Sequence, residues 1–406
     1  MNLSKVFLNP FGSPTPLTSK VNNGQDNSGP DERRIQMTKK VRNSFIFALL
    51  IAVSSAACTT EESAAEEQRH ETSPYSLTAV IPGATTSEVL SVLAEYIHER
   101  DDRLDGLPDR WIVAGTESLE PGAHPSEAAM NLPNETKLLE VCNHTYAGQA
   151  MSFGGAHGVA LPCKIAIVPG EQGAKVYLLN PEGIFSAFFR DIPDEYAAGM
   201  AGLAATVRQE LEGIIVSALG SMTSNFPKED IGPAWDEEDL GTFATMDYSV
   251  EFSINIPEEH RADDSTKHNF KEEVLWAIME TLTYVGQEGI QKVGSGVPGL
   301  SVGDWHAARP APVSLPGDVS LISKCSPTYA GAALSTGLHH APALPCRSAV
   351  WVEGNKVHVH LLDPGFMFPV FFADVDREYM ESMGEMADAV RSDLTLIIET
   401  AIAPFM

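Results

Sequence analysis

The sequence predicts an α+β protein made of two tandem copies of one β-α-β(4)-α domain. Three observations carry that expectation: a gap-free internal repeat, short apolar runs of strand type, and a long amphipathic helix closing each copy. The repeat comes first. CNHTYAGQAMSFGGAHGVALPCK, from Cys142, pairs with CSPTYAGAALSTGLHHAPALPCR, from Cys325, at a constant offset of 183. The register continues through VYLLNPEGIFSAFFRDIPDEY and VHLLDPGFMFPVFFADVDREY as far as Ile214-Ile215 and Ile397-Ile398. A gap-free match of this length means duplication. Upstream the match is looser. Tyr75-Ser76-Leu77 opens the first copy and Tyr248-Ser249-Val250 the second, which carries polar insertions around Glu258–His268 and a Pro/Gly stretch at Gly294–Gly317.

Each element of the first copy has its own signal. Leu77–Ile81 is apolar and reads as a strand. Thr86–Arg100 places Val89, Leu90, Leu93, Tyr96 and Ile97 at helical spacing behind Thr85 or Thr86 as N-cap. Trp111–Val113, Lys137–Val141, Lys164–Val168 and Lys175–Leu179 are strand-like, the last two joined by the turn Pro169–Gly173. Pro193–Leu219 is an amphipathic helix with Tyr196, Met200, Leu203, Val207, Leu211 and Ile214/Ile215 on one face. In the second copy the first helix is expected over Glu272–Gly286 and the last over Asp376–Ile402.

Cys-x-x-x-Tyr-Ala, then Leu161-Pro162-Cys163 and Leu344-Pro345-Cys346 opening apolar strands, then a Gly turn and Val-x-Leu-x-Asn/Asp-Pro, together resemble the "domain of unknown function 302" family. The resemblance covers about 150 residues twice. It implies a fold like that of the TATA-box-binding protein, in agreement with the element order read above. It implies no activity, because function lives in sites rather than folds.

Composition bounds the function class. The formal net charge is −28, and the first 57 residues hold seven Lys/Arg against three Asp/Glu, so the chain beyond them is more acidic still and nucleic acid is not an expected partner. Residues 37–58, MTKKVRNSFIFALLIAVSSAAC, show a basic start, an apolar run too short to span a bilayer, and small residues before Cys58. This resembles a bacterial lipoprotein signal, with Cys58 lipidated and the protein facing the periplasm. Ser55 stands where such signals usually carry leucine, so cleavage after Ala57 to a secreted or periplasmic form is the alternative. The expected organisation is 1–36 upstream of the true start or disordered, 37–58 signal, 59–74 acidic tether, 75–224 first domain, 225–244 linker and 245–406 second domain. Pro227, Pro233 and the acidic run Asp236–Asp239 mark the linker.

The candidate site residues are cysteines and histidines. Cys142 and Cys163, and likewise Cys325 and Cys346, end one strand and begin the next. The first reading is a structural disulfide in each copy. It would close a loop of about twenty residues, a stabilisation of about 3 kcal/mol. A redox pair and a metal ligand set are the alternatives. His157 and His340 recur six residues before the second cysteine, giving a Cys-His-Cys loop in each copy. His358 and His360 are two apart on one strand and so share a face, where the first copy has Lys175 and Tyr177. The paired aromatics Phe185/Phe188/Phe189 and Phe368/Phe371/Phe372 read as core, with a pocket lining as the other reading. No phosphate-loop, nucleophile-elbow, zincin or Cys-x-x-Cys motif is present, and no Gly-x-Gly-x-x-Gly fingerprint follows an expected strand. The expectation is therefore a non-enzymatic binding or interaction module, anchored to membrane through Cys58, whose partner is a small ligand or an envelope protein. No cofactor is called for beyond a possible transition metal, and metal handling or thiol redox through the Cys-His-Cys loop is the alternative.

Overall fold

The computed structural model describes residues 72–102, 111–124, 126–161, 163–286, 289–292, 296–308, 315, 317–344 and 346–406. The signal-like segment with Cys58, and nearly all of the tether, lie outside the described residues.

The first repeat runs β1 (Tyr75–Pro82), α1 (Thr86–Asp102), β2 (Trp111–Leu119), β3 (Thr136–Asn143), α2 (His144–Ala150), β4 (Cys163–Gly170), β5 (Gly173–Leu179), α3 (Pro181–Phe188) and α4 (Asp194–Leu219). The connecting residues hold β6 (Glu229–Ile231) and α5 (Glu237–Phe243). The second repeat runs β7 (Ser249–Asn255), α6 (Asp264–Glu280), β8 (Thr283–Gly286), β9 (Gly289–Lys292), β10 (His306–Ala308), β11 (Ser320–Cys325), α7 (Pro327–Thr336), β12 (Cys346–Glu353), β13 (Lys356–Leu362), α8 (Pro364–Phe371) and α9 (Arg377–Ile402). Helices and largely antiparallel sheets occur in the same halves, so the class is α+β. Among the described residues the sheet orders are β2-β3-β4-β5-β1-β6 and β7-β13-β12-β11-β10-β8-β9. The path β2-β3-β4-β5-β1 and the path β10-β11-β12-β13-β7 are the same path, traced once in each repeat.

Local chemistry explains the elements. Thr85 and Glu88 form a reciprocal capping box at the start of α1. Asn180 and Asp363 cap α3 and α8, each followed by proline at the first helical position. These two helices, with α2 and α7, were not expected from the sequence, where their short apolar stretches carried no helical period. The strand β3 is buried along its whole length, as a central strand covered on both faces must be. The helix α4 buries Met200, Leu203, Val207, Leu211 and Ile215, but Tyr196 at its first turn is 51% exposed. The largest correction concerns the first helix of the second repeat. It starts at Asp264 on an Asp263/Thr266 capping box and ends at Glu280, and residues expected as its last turn form β8.

Residues 225–244 pack rather than hang. β6 pairs with β1, extending the first sheet. Trp235 is 1% exposed and donates its indole N–H to the Val370 carbonyl of the second repeat. It also packs edge-on against Phe243 and Phe371.

One sheet face in each repeat is covered by its own helices, α1 and α4 in the first and α6, with α9 packed against it, in the second. The other face meets the other repeat. The 3-10 segment Gly155–Ala160 lies on β12 and β13, and its counterpart Leu338–Ala343 lies on β1, β3, β4 and β5. Each Gly-rich loop is thus docked on the partner repeat's sheet. Gly155 is required there, since a Cβ at this position would fall 2.4 Å from the Trp351 ring. Gly155→Ala is expected to lose about 1–3 kcal/mol through this overpacking. Chemical denaturation would check it, and an unchanged midpoint would mean that Trp351 gives way freely.

Candidate functional site

The four described cysteines are free thiols. This differs from the expected disulfides, and the register explains why. Cys163 pairs with Val141, one residue short of Cys142. In the second repeat Cys346 pairs with Lys324, one short of Cys325. Opposed residues share a face and successive residues alternate, so the two thiols of each repeat leave the sheet on opposite sides. Burial pushes the Cys142 and Cys163 pKa values up to about 12 and that of Cys346 up to about 11. Burial raises Cys325 well above the ordinary thiol value as well. Such thiols are protonated and poor nucleophiles, the opposite of what redox chemistry needs.

His157 and His340 do not join the cysteines in a ligand set. Each bonds an aspartate at the same repeat position. His157 Nε2 donates to Asp191 Oδ1 at 3.0 Å, and His340 Nε2 to Asp374 Oδ1 at 2.9 Å. His339 adds a second bond to Asp374 at 2.7 Å. Each pair is closed by a tyrosine from the opposite repeat. Tyr248 packs beside the His157 ring and hydrogen-bonds Asp191. Tyr75 packs edge-on against His340 and donates to the Phe371 carbonyl at 2.9 Å. Phe189 and Phe372 cover the other side, each with its ring centre 4.6 Å from the imidazole centre. The hydrogen bond from His157 holds the Asp191 carboxyl below its usual range. Burial lowers the His340 pKa, with the Asp374 bond opposing it. With aromatic rings on both sides, these histidines have no open face for a substrate. They lock each loop onto the partner repeat. In the sequence Tyr75 and Tyr248 mark only the openings of the repeats. Asp191 and Asp374 were visible in FFRD and FFAD but had no partner until the fold supplied one.

His358 and His360 do share a face, as expected from their spacing, and the fold adds a third group. Glu251 on β7 lies directly opposite His360 on β13. His358 Nδ1 is 3.2 Å and His360 Nε2 3.8 Å from Glu251 Oε1. The other ring nitrogen of His360 bonds the Ser249 hydroxyl at 3.0 Å. His358 stacks on Trp351, with ring centres 5.3 Å apart. Burial lowers the His360 pKa, which favours its neutral, ligating form.

A cleft of about 690 Å³ opens between α3, α4 and α5. Its floor is apolar, with Phe185, Phe189, Ile192, Met200 and Leu240. Its rim carries Glu182, Asp230, Glu237, Arg190 and Arg208. Arg208 is committed to carboxylates, bonding Glu182 at 2.7 Å, Asp230 at 2.5 Å and Glu212 at 3.0 Å. Arg190 sits 3.9 Å from Glu237. The second repeat has Gly365 and Ala373 where the first has Glu182 and Arg190, so the polar rim belongs to the first repeat. The sequence did not disclose this cleft, because one wall is α5, from the stretch expected as a linker.

Among the described residues no helix is long and apolar enough to cross a membrane. No curated protein matches the chain. A solved structure described as an uncharacterised conserved protein DUF302 from Bacillus stearothermophilus is 17% identical, covering 36% of this chain and 95% of its own, with a TM-score of 0.27. DynU16, described as coming from the dynemicin biosynthetic locus, is 11% identical, covering 81% and 99%, with a TM-score of 0.19. The family described as "Domain of unknown function DUF302" matches residues 121–218, the stretch from the end of β2 through α4.

Proposed function

We propose that this chain is a non-enzymatic binding protein of the cell envelope that holds an amphipathic small molecule in the α3–α4–α5 cleft. The observation that carries this reading is the cleft's pairing of an aromatic and aliphatic floor with a rim richer in carboxylates than in guanidinium groups. Its volume lies in the range of small-molecule sites. Both rim arginines already face carboxylates, so the unbalanced charge is negative. The ligand that fits is apolar at one end and cationic or hydrogen-bond-donating at the other. The protonated, buried thiols argue against redox chemistry as the alternative. The lipoprotein-like signal at 37–58 supports a tandem, lipid-anchored, periplasm-facing protein, with the acidic residues after Cys58 as tether.

Dansylcadaverine, a fluorescent apolar amine, is the probe for this reading. Saturable 1:1 binding is expected, stronger than that of the anionic dye 8-anilinonaphthalene-1-sulfonate. Ala201 lines the cleft and is exposed, so Ala201→Trp fills the mouth without disturbing the core. It should weaken dansylcadaverine by at least about tenfold. Equal binding by wild type and Ala201→Trp would sink the proposal, as would no saturation at all.

A further inference from the structure

We propose that Glu251, His358 and His360 form a binding site for one borderline divalent transition-metal ion, of the zinc or copper(II) type, with a position left open to solvent. The site lies on the second repeat's sheet and is independent of the cleft.

Strand geometry builds it. His358 and His360 are two apart on β13, so both imidazoles rise from one face. The β7–β13 register sets His360 opposite Glu251, which brings the carboxylate to the same face. The three ligand atoms lie within 4.8 Å of one another. Around a tetrahedral ion with bonds of about 2.1 Å, neighbouring ligand atoms are about 3.4 Å apart. The two distances to Glu251, 3.2 and 3.8 Å, bracket that edge, so an ion needs only small side-chain adjustments.

The surroundings orient the donors. Ser249, two residues before Glu251, occupies His360 Nδ1 and leaves Nε2 facing the carboxylate. Hydrogen bonding of one imidazole nitrogen while the other meets the ion is the usual outer arrangement of a metal histidine. The Trp351 ring fixes the plane of His358. Trp351 is itself backed by Gly155 of the docked loop, so the site is rigid before any ion arrives.

Donor chemistry selects the metal class. Two imidazoles and one carboxylate suit zinc, copper and related ions and are a poor set for calcium or magnesium, which take oxygen ligands. Three protein ligands leave a fourth position. The Glu251 side chain is 57% exposed, so that position faces water. A chain of net charge −28 also attracts cations to its surface. The first repeat carries Lys175 and Tyr177 at the histidine positions, so the repeat supplies no second copy of this site.

The test is calorimetric titration of the chelator-stripped full chain with zinc chloride, repeated with copper(II) while following tryptophan emission. One ion should bind at this site, and copper(II) beside Trp351 should quench emission saturably. His358→Ala and Glu251→Gln should each weaken zinc by at least about tenfold. His339→Ala, in the separate His339/His340/Asp374 cluster, should leave the affinity unchanged. Glu251 is exposed, so Glu251→Gln keeps the fold even if a histidine variant does not. Zinc binding that survives Glu251→Gln undiminished overturns the site. Loss of binding in His339→Ala, or no binding by wild type at millimolar zinc, overturns it equally. Ala201→Trp, which blocks the cleft, must not change zinc affinity.

Discussion

Glu140→Ala is expected to lower the unfolding free energy by about 3–5 kcal/mol, the cost of breaking a buried ion pair by removing one partner. Glu140 lies on β3 and its side chain is 5% exposed. It accepts a hydrogen bond from Arg347 on β12, whose side chain is 1% exposed, and another from Ser323 on β11. The residues are related by the repeat. Ser323 stands where the first repeat has Glu140, and Arg347 where it has Lys164. Lys164 also enters this contact, donating to the Leu344 carbonyl at 2.7 Å. Burial and the nearby Arg347 push the Lys164 pKa down to about 7, while Glu140 opposes the shift. Glu140 therefore faces two buried bases where the two repeats meet, and Glu117, 3.2 Å from His306 of the second repeat, is a second acid at that contact. Removing Glu140 strands cationic groups away from water. Glu140→Ala with Arg347→Met should recover most of the loss, because the second change removes the stranded guanidinium. Urea denaturation of both single variants and the double variant measures the coupling. A loss under about 1 kcal/mol for Glu140→Ala would show that the pair is hydrated and adds little to the contact between the repeats.

What could be read from the sequence followed from local period and from the repeat. The strands β1 to β5 and the helices α4 and α9 lie where apolar spacing placed them, because each buries one continuous face. The first helix of the second repeat was misplaced because its N-terminal turn, DSTKHN, is polar and resembled an insertion. Its capping box at Asp263 and Thr266 was the signal that could have found it. The site residues divide the same way. The His358/His360 pair was visible because two-residue spacing is a local property. Glu251 was not, because its position opposite His360 depends on a strand pairing more than a hundred residues apart in sequence. The Cys-His-Cys loop was misleading. Its cysteines stay on neighbouring strands, one residue out of register, while the segment between them carries its histidine to the other repeat.

Lys324→Met is expected to stabilise the protein at neutral pH by a few kcal/mol, with a gain that fades as pH rises. Lys324 lies on β11 directly opposite Cys346 and is fully buried. Its amino group donates to the Ser348 hydroxyl. A small cavity of about 20 Å³ adjoins it, lined by Trp305, Leu344, Phe368 and Val390 among others. The first repeat has Val141 and Ile165 at the positions of Lys324 and Ser348, so this fold accepts a wholly apolar solution there. Burial pushes the Lys324 pKa down to about 7. An unfolded lysine titrates near ~10.4. Between these two values the unfolded chain binds a proton that the folded chain lacks, so the lysine's contribution to stability grows with pH. It is complete only above ~10.4 and is lost as pH falls toward 7. The whole span corresponds to at most about 4–5 kcal/mol, and lost packing and the stranded Ser348 hydroxyl reduce what methionine recovers. Lys324→Met with Ser348→Ala should recover more than Lys324→Met alone. The buried thiols impose an opposite trend above pH ~8.5, since their unfolded forms lose protons that the folded forms keep. That trend is common to wild type and variant except at Cys346, whose pKa the facing Lys324 lowers against burial, so the comparison rests on the change from pH 6 to pH 8. Denaturation at pH 6 and pH 8 should therefore show the variant's advantage larger at pH 6. An advantage independent of pH would mean that Lys324 carries its charge in the folded state, and a loss at pH 6 would mean that its hydrogen bond outweighs its desolvation.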